Sequence, residues 1–258
     1  MNLKDQEKEE KLRGGYYTPP AIAEFLSRWG MQRGPRSILE PSCGDGAFIK
    51  ALDEVSYTLD GVDFHGVEYD AAEARKSGEE FSRIEGKGCS GTGVRTGDFF
   101  EFAEEERDGV LRGGVELVIG NPPYIRYQYF EHGRDIAEKR LKKLGIKTTK
   151  HANAWLHFLA ESVSTLAEDG RIAMVIPGEL LHVTYSSDLR RWLTEQLTSI
   201  TIITFETLVF PNVQQEVVLF LGEKRSGSRK KTMKLIQLRD VTELSQSVVR
   251  HINKKAPR

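Results

Sequence analysis

The sequence predicts an α/β domain, because short apolar runs typical of buried strands alternate with amphipathic patterns typical of helices. At residues 37–52 a strand pattern, a glycine-containing loop and a helix pattern follow one another, as in nucleotide-binding α/β folds. Residues 200–205 and 216–221 are two strand patterns without a helix between them, so we expect an antiparallel pair. With 258 residues and 39% hydrophobic content, the chain can bury one such domain, with or without a small appendage.

Composition indicates a globular protein of the cytoplasm that does not cross a membrane. No apolar run approaches the ~18 residues of a membrane span, and the first ten residues lack the apolar centre of a signal peptide. The two cysteines, Cys43 and Cys89, are not spaced with other cysteines or histidines as zinc ligands are. We therefore expect neither a metal site nor a disulfide.

Charge is unevenly distributed along the chain, although the net charge is only −1. Residues 124–150 hold eight Lys/Arg against three Asp/Glu, and residues 223–258 hold eleven against three. Segregated positive charge is typical of a surface that binds a polyanion, although basic loops and tails also serve solubility. Of the two interpretations, we favour nucleic acid.

The N-terminal part contains a mobile segment and then a helix. Residues 1–13 are polar and mixed in charge and have little to bury, so we expect them to be mobile or to form a loosely attached helix. Tyr17-Thr18-Pro19-Pro20 precedes a helical pattern in which Thr18 is a candidate N-cap and a proline occupies the first turn. The simple interpretation is a capped helix packed on the core, but the aromatic residues and Thr18 suggest a further role.

The first strand pattern, 37–40, leads into a loop suited to a ligand. Gly44 and Gly46 allow the backbone to approach a ligand closely. Ile49 stands where a dinucleotide-binding fingerprint would have its third glycine, which argues against a pyrophosphate. Glu40 ends the strand, and its carboxylate favours a cationic group. An ammonium-bearing ligand fits this loop best.

Two further strand patterns end in carboxylates. Glu68 lies 22 positions after Gly46, where nucleotide-binding domains use an acidic residue to accept ribose hydroxyls. Alternatively, Glu68 and Asp70 only place negative charge at a helix N-terminus. After a glycine-rich loop predicted at 84–93, Asp98 and Phe99 can accept from an adenine amine and cover its ring. We expect Phe102 to be a core residue.

The stretch Asn121-Pro122-Pro123-Tyr124 follows a buried strand pattern at 116–120. The two prolines remove two N–H donors and fix φ, which leaves rigid carbonyl acceptors. The Asn121 oxygen and the Pro122 carbonyl can receive both N–H groups of an exocyclic amine, while Tyr124 stacks on its ring. The alternative is an ordinary loop, since Asn-Pro favours turns.

The second half supplies basic and aromatic side chains and the remaining elements. After Tyr124, aromatic residues alternate with basic ones such as Arg126, which suits stacking on bases and neutralising phosphates. A helix is predicted at 153–166, a strand at 171–177 and a helix at 187–196. From residue 223 a linker-like run of charge contains a strand pattern at 233–238 and a short amphipathic piece at 244–252.

With these motifs in order, residues 15–221 resemble the class I S-adenosylmethionine-dependent methyltransferases. More narrowly, they resemble the DNA N6-adenine methyltransferases of restriction-modification type whose cofactor motifs precede the catalytic motif. The resemblance implies a Rossmann-like fold: a mixed seven-stranded sheet with an antiparallel last hairpin and helices on both faces. It implies S-adenosyl-L-methionine as cofactor, bound by Tyr17, Thr18, Glu40, Ser42, Gly44, Gly46, Glu68, Asp98, Phe99 and Asn121.

The resemblance also implies a reaction, which is direct in-line methyl transfer to the N6 amine of a flipped adenine in double-stranded DNA. Asn121, Pro122 and Tyr124 would be catalytic. The side chains that face the base or the DNA would be Pro123, Tyr124, Arg126, Tyr127 and Phe210, with Phe210 stacking on the other face of the base. Two alternatives remain: a protein-glutamine N5-methyltransferase, which shares Asn-Pro-Pro-Tyr, and a catalytically silent, cofactor-binding specificity or scaffold subunit.

The resemblance divides the chain into a mobile segment 1–13, a catalytic domain 14–222 and a basic tail 223–258. Relatives with this order of motifs carry a target-recognition domain after the catalytic lobe, whereas 36 residues follow Gly222 here. We therefore expect recognition from a missing C-terminal domain, from a separate subunit or from the 124–150 loop.

Overall fold

The computed structural model describes residues 17–56, 58–125, 133–149, 152–210, 216–228, 230–245, 248 and 252. Its helices are α1 (Pro20–Met31), α2 (Ala47–Val55), α3 (Ala71–Glu85), α4 (Phe99–Glu105), α5 (Arg134–Lys143), α6 (Ala154–Ser164), α7 (Glu179–His182) and α8 (Ser187–Gln196). Its strands are β1 (Ser37–Glu40), β2 (Asp63–Glu68), β3 (Ser90–Thr96), β4 (Val115–Gly120), β5 (Leu166–Pro177), β6 (Ser199–Phe205), β7 (Val217–Glu223) and β8 (Thr232–Leu238). Short 3-10 turns lie at Thr184–Ser186 and Val241–Glu243.

The strands form one mixed sheet in the order β3-β2-β1-β4-β5-β7-β6-β8. From β3 to β5 all neighbours are parallel, whereas β7 is antiparallel to both β5 and β6. The predicted α/β class and the antiparallel hairpin are confirmed. The sheet has eight strands where seven were expected, because β8 pairs along the whole of β6, from Ser199↔Thr232 to Phe205↔Leu238. The expected basic tail therefore contains a strand of this sheet.

Helices cover both faces of the sheet. Because both faces are covered, the central strands are apolar on both sides. In β4, Leu117 and Ile119 face the cluster that contains α1, α2 and α3. Val118 faces the opposite cluster, which contains α4, α6 and α8. Trp29 of α1 and Trp155 of α6 are fully buried, one in each layer. The two layers hold β1 and β4 in the centre of the domain.

The predicted glycine-rich loop at 84–93 is wrong in part. Helix α3 continues to Glu85, and β3 begins at Ser90. The later glycines of this stretch lie in β3, which pairs closely with β2. The register of this pair shifts between Phe64 and His65. A Cβ atom on Gly91 would lie 2.2 Å from the Phe64 carbonyl oxygen. Gly91 therefore permits a β-bulge and not a loop.

Within the described ranges, no helix is long and apolar enough to cross a membrane. In the same part of the chain, no group of three or more His, Cys, Asp or Glu side chains could hold a metal ion.

Candidate active site

The carboxyl edge is the edge of the sheet at which the parallel strands β1, β2 and β4 end. Glu40 is the last residue of β1, Glu68 is the last of β2, and Asn121 follows the last residue of β4. The strand order changes direction between β1 and β4, and in α/β sheets ligands bind outside the strand ends at such a point. The structure therefore brings three of the predicted site residues to one edge.

The loop after β1 is held by backbone hydrogen bonds. The Cys43 N–H donates to the Val67 carbonyl and the Gly46 N–H to the Cys43 carbonyl, both at 2.9 Å. Gly46 has φ +83°, and a Cβ atom there would lie 3.1 Å from the Ser77 Cα. Gly44 has φ +51°, yet a Cβ atom added to it would have no other atom within 4 Å. Packing therefore constrains Gly46, whereas open space lies in front of Gly44.

Glu68 organises this loop from the neighbouring strand. Its Oε2 accepts from the Gly44 N–H and its Oε1 from the Asp70 N–H, both at 2.8 Å. Each carboxylate oxygen retains a lone pair, so Glu68 can still accept hydroxyl groups. Burial raises the pKa of Glu68, and the two backbone hydrogen bonds oppose that rise. Asp70 caps the N-terminus of α3, as one interpretation of the sequence predicted for it. Glu68 binds the glycine loop instead.

The Asn121 side chain is held by hydrogen bonds from two distant parts of the chain. Its Nδ2 donates to Thr18 Oγ1 at 3.2 Å. The Tyr124 hydroxyl lies 2.7 Å from Asn121 Oδ1 and 3.2 Å from the Val175 carbonyl oxygen, and can donate to either. Ser42 of the glycine loop donates to the Asn121 main-chain oxygen at 3.1 Å. The glycine loop after β1 and the Asn-Pro-Pro-Tyr stretch are thus joined directly.

Thr18 does not cap α1, so that prediction is wrong. Pro19 is the N-cap residue, no side chain caps the helix, and proline occupies its first turn as expected. The Thr18 side chain is turned towards Asn121. Sequence reasoning missed this contact and the contact of Tyr124 with Val175, because both depend on how distant segments pack.

The Asn-Pro-Pro-Tyr stretch is also fixed at its C-terminal end. The Ile125 carbonyl accepts from the Ala154 N–H at the start of α6, at 2.9 Å. Pro122 is buried and Pro123 is half-buried. Tyr124 is half-buried and packs against the clusters on both sides of the sheet. The stretch is therefore anchored between the two helical layers, as a rigid acceptor site requires.

Comparison with known proteins decides the family. A sequence profile of N-6 DNA Methylase matches residues 3–256. The chain belongs to the N-6 DNA Methylase family. The Type II methyltransferase M.BanIII of Aneurinibacillus aneurinilyticus is 25% identical over 243 residues, which cover 87% of this chain and 41% of that relative. The chain thus spans less than half the length of this relative.

Solved structures show the same fold as this N-6 DNA Methylase domain. A chain of the DrdV–DNA complex matches 98% of this chain and 30% of its own length, with a TM-score of 0.75 and 14% identity. A proposed class I S-adenosylmethionine-dependent methyltransferase from Listeria monocytogenes matches 93% of this chain and 72% of its own length, with a TM-score of 0.68 and 17% identity. The class I fold is thereby confirmed. Membership of the N-6 DNA Methylase family supports the predicted cofactor, S-adenosylmethionine.

The environment of Glu40 shows which kind of ligand suits the site. Its side chain is fully buried, and neither carboxylate oxygen has a hydrogen-bond partner in the described residues. Burial holds the pKa of Glu40 well above its usual value, and Glu68 and Asp45 raise it further. The Cys43 thiol donates to the main-chain carbonyl of Glu40 and not to its carboxylate. A buried carboxylate without partners is costly unless a cation reaches it. A cationic group of S-adenosylmethionine would meet this need.

This environment predicts a pH effect for Glu40. Folding raises the pKa of Glu40, so the folded state holds this proton more tightly than the unfolded state does. The resulting contribution to the free energy of unfolding is complete below the unfolded-state pKa and is lost as pH rises through the folded-state pKa. A cation on the cofactor favours the ionised form of the Glu40 carboxyl. The affinity for S-adenosylmethionine should therefore rise over the same pH range. Glu40→Gln should make the cofactor-free chain more stable at pH 8 and weaken cofactor binding about ten-fold. Denaturant unfolding and calorimetric titration at pH 6 and 8 measure both effects. An unchanged affinity in Glu40→Gln would refute this role.

The remaining predicted site residues lie further from this centre or are enclosed. Asp98 caps α4 by accepting from the Phe100 and Glu101 N–H groups at 2.8 and 3.1 Å. The Phe99 ring is 2% exposed and stacks on Phe158 at 5.3 Å between centroids. Their roles towards adenine remain predictions, and Phe102 is buried as expected.

The outlying aromatic and basic residues complete the predicted set. Tyr17 is 51% exposed, and its hydroxyl donates to Glu73 of α3 at 3.2 Å. Phe210 is 6% exposed and belongs to the buried cluster on the α1 side, which Tyr124 also contacts. Its stacking on a base remains a prediction. Arg126 and Tyr127 lie outside the described residues.

Proposed function

We propose that the chain transfers a methyl group from S-adenosylmethionine to the N6 amine of adenine in double-stranded DNA, as the modification part of a restriction-modification or similar defence system. The observation that carries this proposal is the Asn121 carboxamide, held at the carboxyl edge by Thr18 and Tyr124. It lies next to the glycine loop through the bond from Ser42. An acceptor for an amine is thereby fixed beside the cofactor site.

The residues of this site orient a planar amine. The Asn121 carboxamide oxygen and the Pro122 carbonyl are hydrogen-bond acceptors, and each can receive one N–H of the target amine. The Tyr124 ring supplies a stacking surface for the base. S-adenosylmethionine supplies the methyl group on a sulfonium that is already a good leaving group. The chain therefore contributes orientation and charge complementarity, without a covalent nucleophile.

Methyl transfer with labelled S-adenosylmethionine tests this proposal against its main alternative. The chain is incubated with duplex DNA in one arm and with a glutamine-containing protein in the other. We expect label in the DNA alone. Label in the protein alone would support the glutamine N5-methyltransferase, and cofactor binding without transfer to either would support the silent subunit.

Cofactor binding can be tested with a matched pair of glycine variants. Gly44 and Gly34 both have positive φ, +51° and +60°, and neither has an atom within 4 Å of an added Cβ. Alanine at either position should cost about 1 kcal/mol of stability. Only Gly44 lies in the proposed cofactor loop, so Gly44→Ala should weaken S-adenosylmethionine binding about ten-fold or more, while Gly34→Ala leaves it unchanged. Calorimetric titration measures both affinities.

The competing outcomes of this titration are distinct. NADH should not displace S-adenosylmethionine, because the glycine loop lacks the third glycine of a dinucleotide site. Equal effects of the two glycine variants, or binding of NADH in place of S-adenosylmethionine, would contradict the placement of the cofactor.

The proposed partners are double-stranded DNA with a flipped adenine and a recognition domain or specificity subunit outside the catalytic domain. The catalytic domain is proposed to cover 14–222, followed by the basic segment 223–258, whose strand β8 completes the sheet. The segment 1–13 lies outside the described residues. A cytoplasmic location is part of the same proposal. Phosphate contacts from the basic segments would supply affinity, and base reading would come from the recognition element.

A further inference from the structure

Thr18 lies 103 residues before Asn121 in the chain and contacts it directly. Its side chain is buried, with 8% of the residue exposed. Helix α1 does not use the hydroxyl, because the Pro19 carbonyl accepts the Ile22 and Ala23 N–H groups, at 2.9 and 3.1 Å, and no side chain caps the helix. The Thr18 hydroxyl therefore serves the catalytic stretch and not the helix that follows it.

The carboxamide of Asn121 needs such support. Rotation about χ2 of asparagine is broad, so a single hydrogen bond leaves the plane of the amide poorly defined. Here Thr18 Oγ1 contacts Nδ2 and the Tyr124 hydroxyl contacts Oδ1, on opposite ends of the group. Two bonds of this kind fix the plane of the carboxamide and thus the directions in which its oxygen accepts.

We propose that Thr18 is a positioning residue for methyl transfer, whose hydroxyl holds the Asn121 carboxamide in the plane from which it receives the target amine. This inference rests on the proposed function. It gives Thr18 a role in the chemical step that is separate from the cofactor contact implied by the sequence resemblance. Tyr124 has the same role from the opposite side, in addition to stacking.

Two variants of Thr18 separate the hydroxyl from the shape of the side chain. Thr18→Val keeps the shape and removes the hydroxyl, and Thr18→Ser keeps the hydroxyl and removes the methyl group. At saturating S-adenosylmethionine, Thr18→Val should lower the single-turnover rate about ten-fold, and Thr18→Ser should stay within about two-fold of the unaltered chain. Because this rate is measured at saturating S-adenosylmethionine, any effect of the two variants on cofactor affinity is seen separately, as a change in Kd.

A double-mutant cycle tests whether Thr18 acts through Asn121. Tyr124→Phe removes the opposite hydrogen bond and keeps the ring. If both hydroxyls hold one carboxamide, the double variant should lose much less than the product of the two single losses. Losses that multiply would mean that Thr18 and Tyr124 act independently, and would overturn the proposal.

The other outcomes are equally decisive. A rate in Thr18→Val equal to that of the unaltered chain overturns the inference and leaves the proposed function intact. A higher Kd with an unchanged rate makes Thr18 a cofactor contact only, and equal losses in the valine and serine variants make it a packing residue. Absence of transfer to DNA when the unaltered chain is used in excess, with a target adenine opposite an abasic position, overturns the proposed function, and this inference with it.

Discussion

Asn121→Ala is expected to lower the single-turnover rate of methyl transfer by about 10²–10³-fold, the loss typical of removing one preorganised polar group from an active site. The variant removes an acceptor for the target amine. The cofactor loop stays in place because the contact with Ser42 uses the Asn121 main-chain oxygen, which alanine retains. Affinity for S-adenosylmethionine should therefore stay within a few-fold. Single-turnover assays and calorimetric titration measure the two quantities.

Asn153 provides the matched control for this variant. It is also a half-buried asparagine, and its Nδ2 donates to Glu179 Oε2 at 3.1 Å at the start of α6. Among the described residues, the Asn153 carboxamide hydrogen-bonds to Glu179 and not to the Asn-Pro-Pro-Tyr stretch, so Asn153→Ala should lower the rate far less. Equal losses of rate in both variants, or equal losses of rate and cofactor affinity in Asn121→Ala, would make Asn121 a structural residue.

Binding of the chain to duplex DNA is expected to be weak, blind to sequence and strongly dependent on salt. Lys139, Lys142 and Lys143 are exposed on α5, which follows the catalytic stretch. Phosphate contacts of this kind release counterions, so raising salt from about 50 to 200 mM should weaken binding at least about ten-fold. Fluorescence anisotropy with duplexes of different sequence measures the affinity and its salt slope.

Paired lysine variants sharpen this prediction. Lys142→Ala with Lys143→Ala should weaken binding to every duplex alike and reduce the salt slope by about two, or about one for each lost phosphate contact. The control variant, Lys50→Ala with Arg83→Ala, changes the opposite face of the domain. It should leave the DNA affinity and its salt slope unchanged. Tight, sequence-specific binding by the bare chain at 200 mM salt would place recognition within these 258 residues and refute the proposal of an outside reader.

Local sequence signals predicted most of the fold. Strand β1 and helix α8 begin and end where their patterns predicted, at Ser37–Glu40 and Ser187–Gln196. The acidic strand ends and the Asn-Pro-Pro-Tyr stretch were also visible, because each feature lies within a few consecutive residues. Their convergence followed from parallel pairing, since parallel strands end at the same edge of a sheet.

The features that escaped prediction depend on distant pairing. The Thr18 hydroxyl satisfies the local rule for a helix cap, and only the packing of α1 against β4 turns it to Asn121. The strand pattern of β8 was visible, but its parallel partner β6 lies about 30 residues earlier and nothing in either pattern specifies the pairing. Gly91 looked like part of a loop, because a bulge is defined by the neighbouring strand.

The identity of the methylated atom tests the central claim most directly. The chain is used in excess with labelled S-adenosylmethionine and duplexes in which a target adenine or a target cytosine lies opposite an abasic position, since an unpaired base costs less to flip. The DNA is then digested to nucleosides and separated by chromatography. The proposed function predicts label in N6-methyldeoxyadenosine alone. Label in N4-methyldeoxycytidine, or no label in DNA while a protein glutamine is methylated, would contradict it.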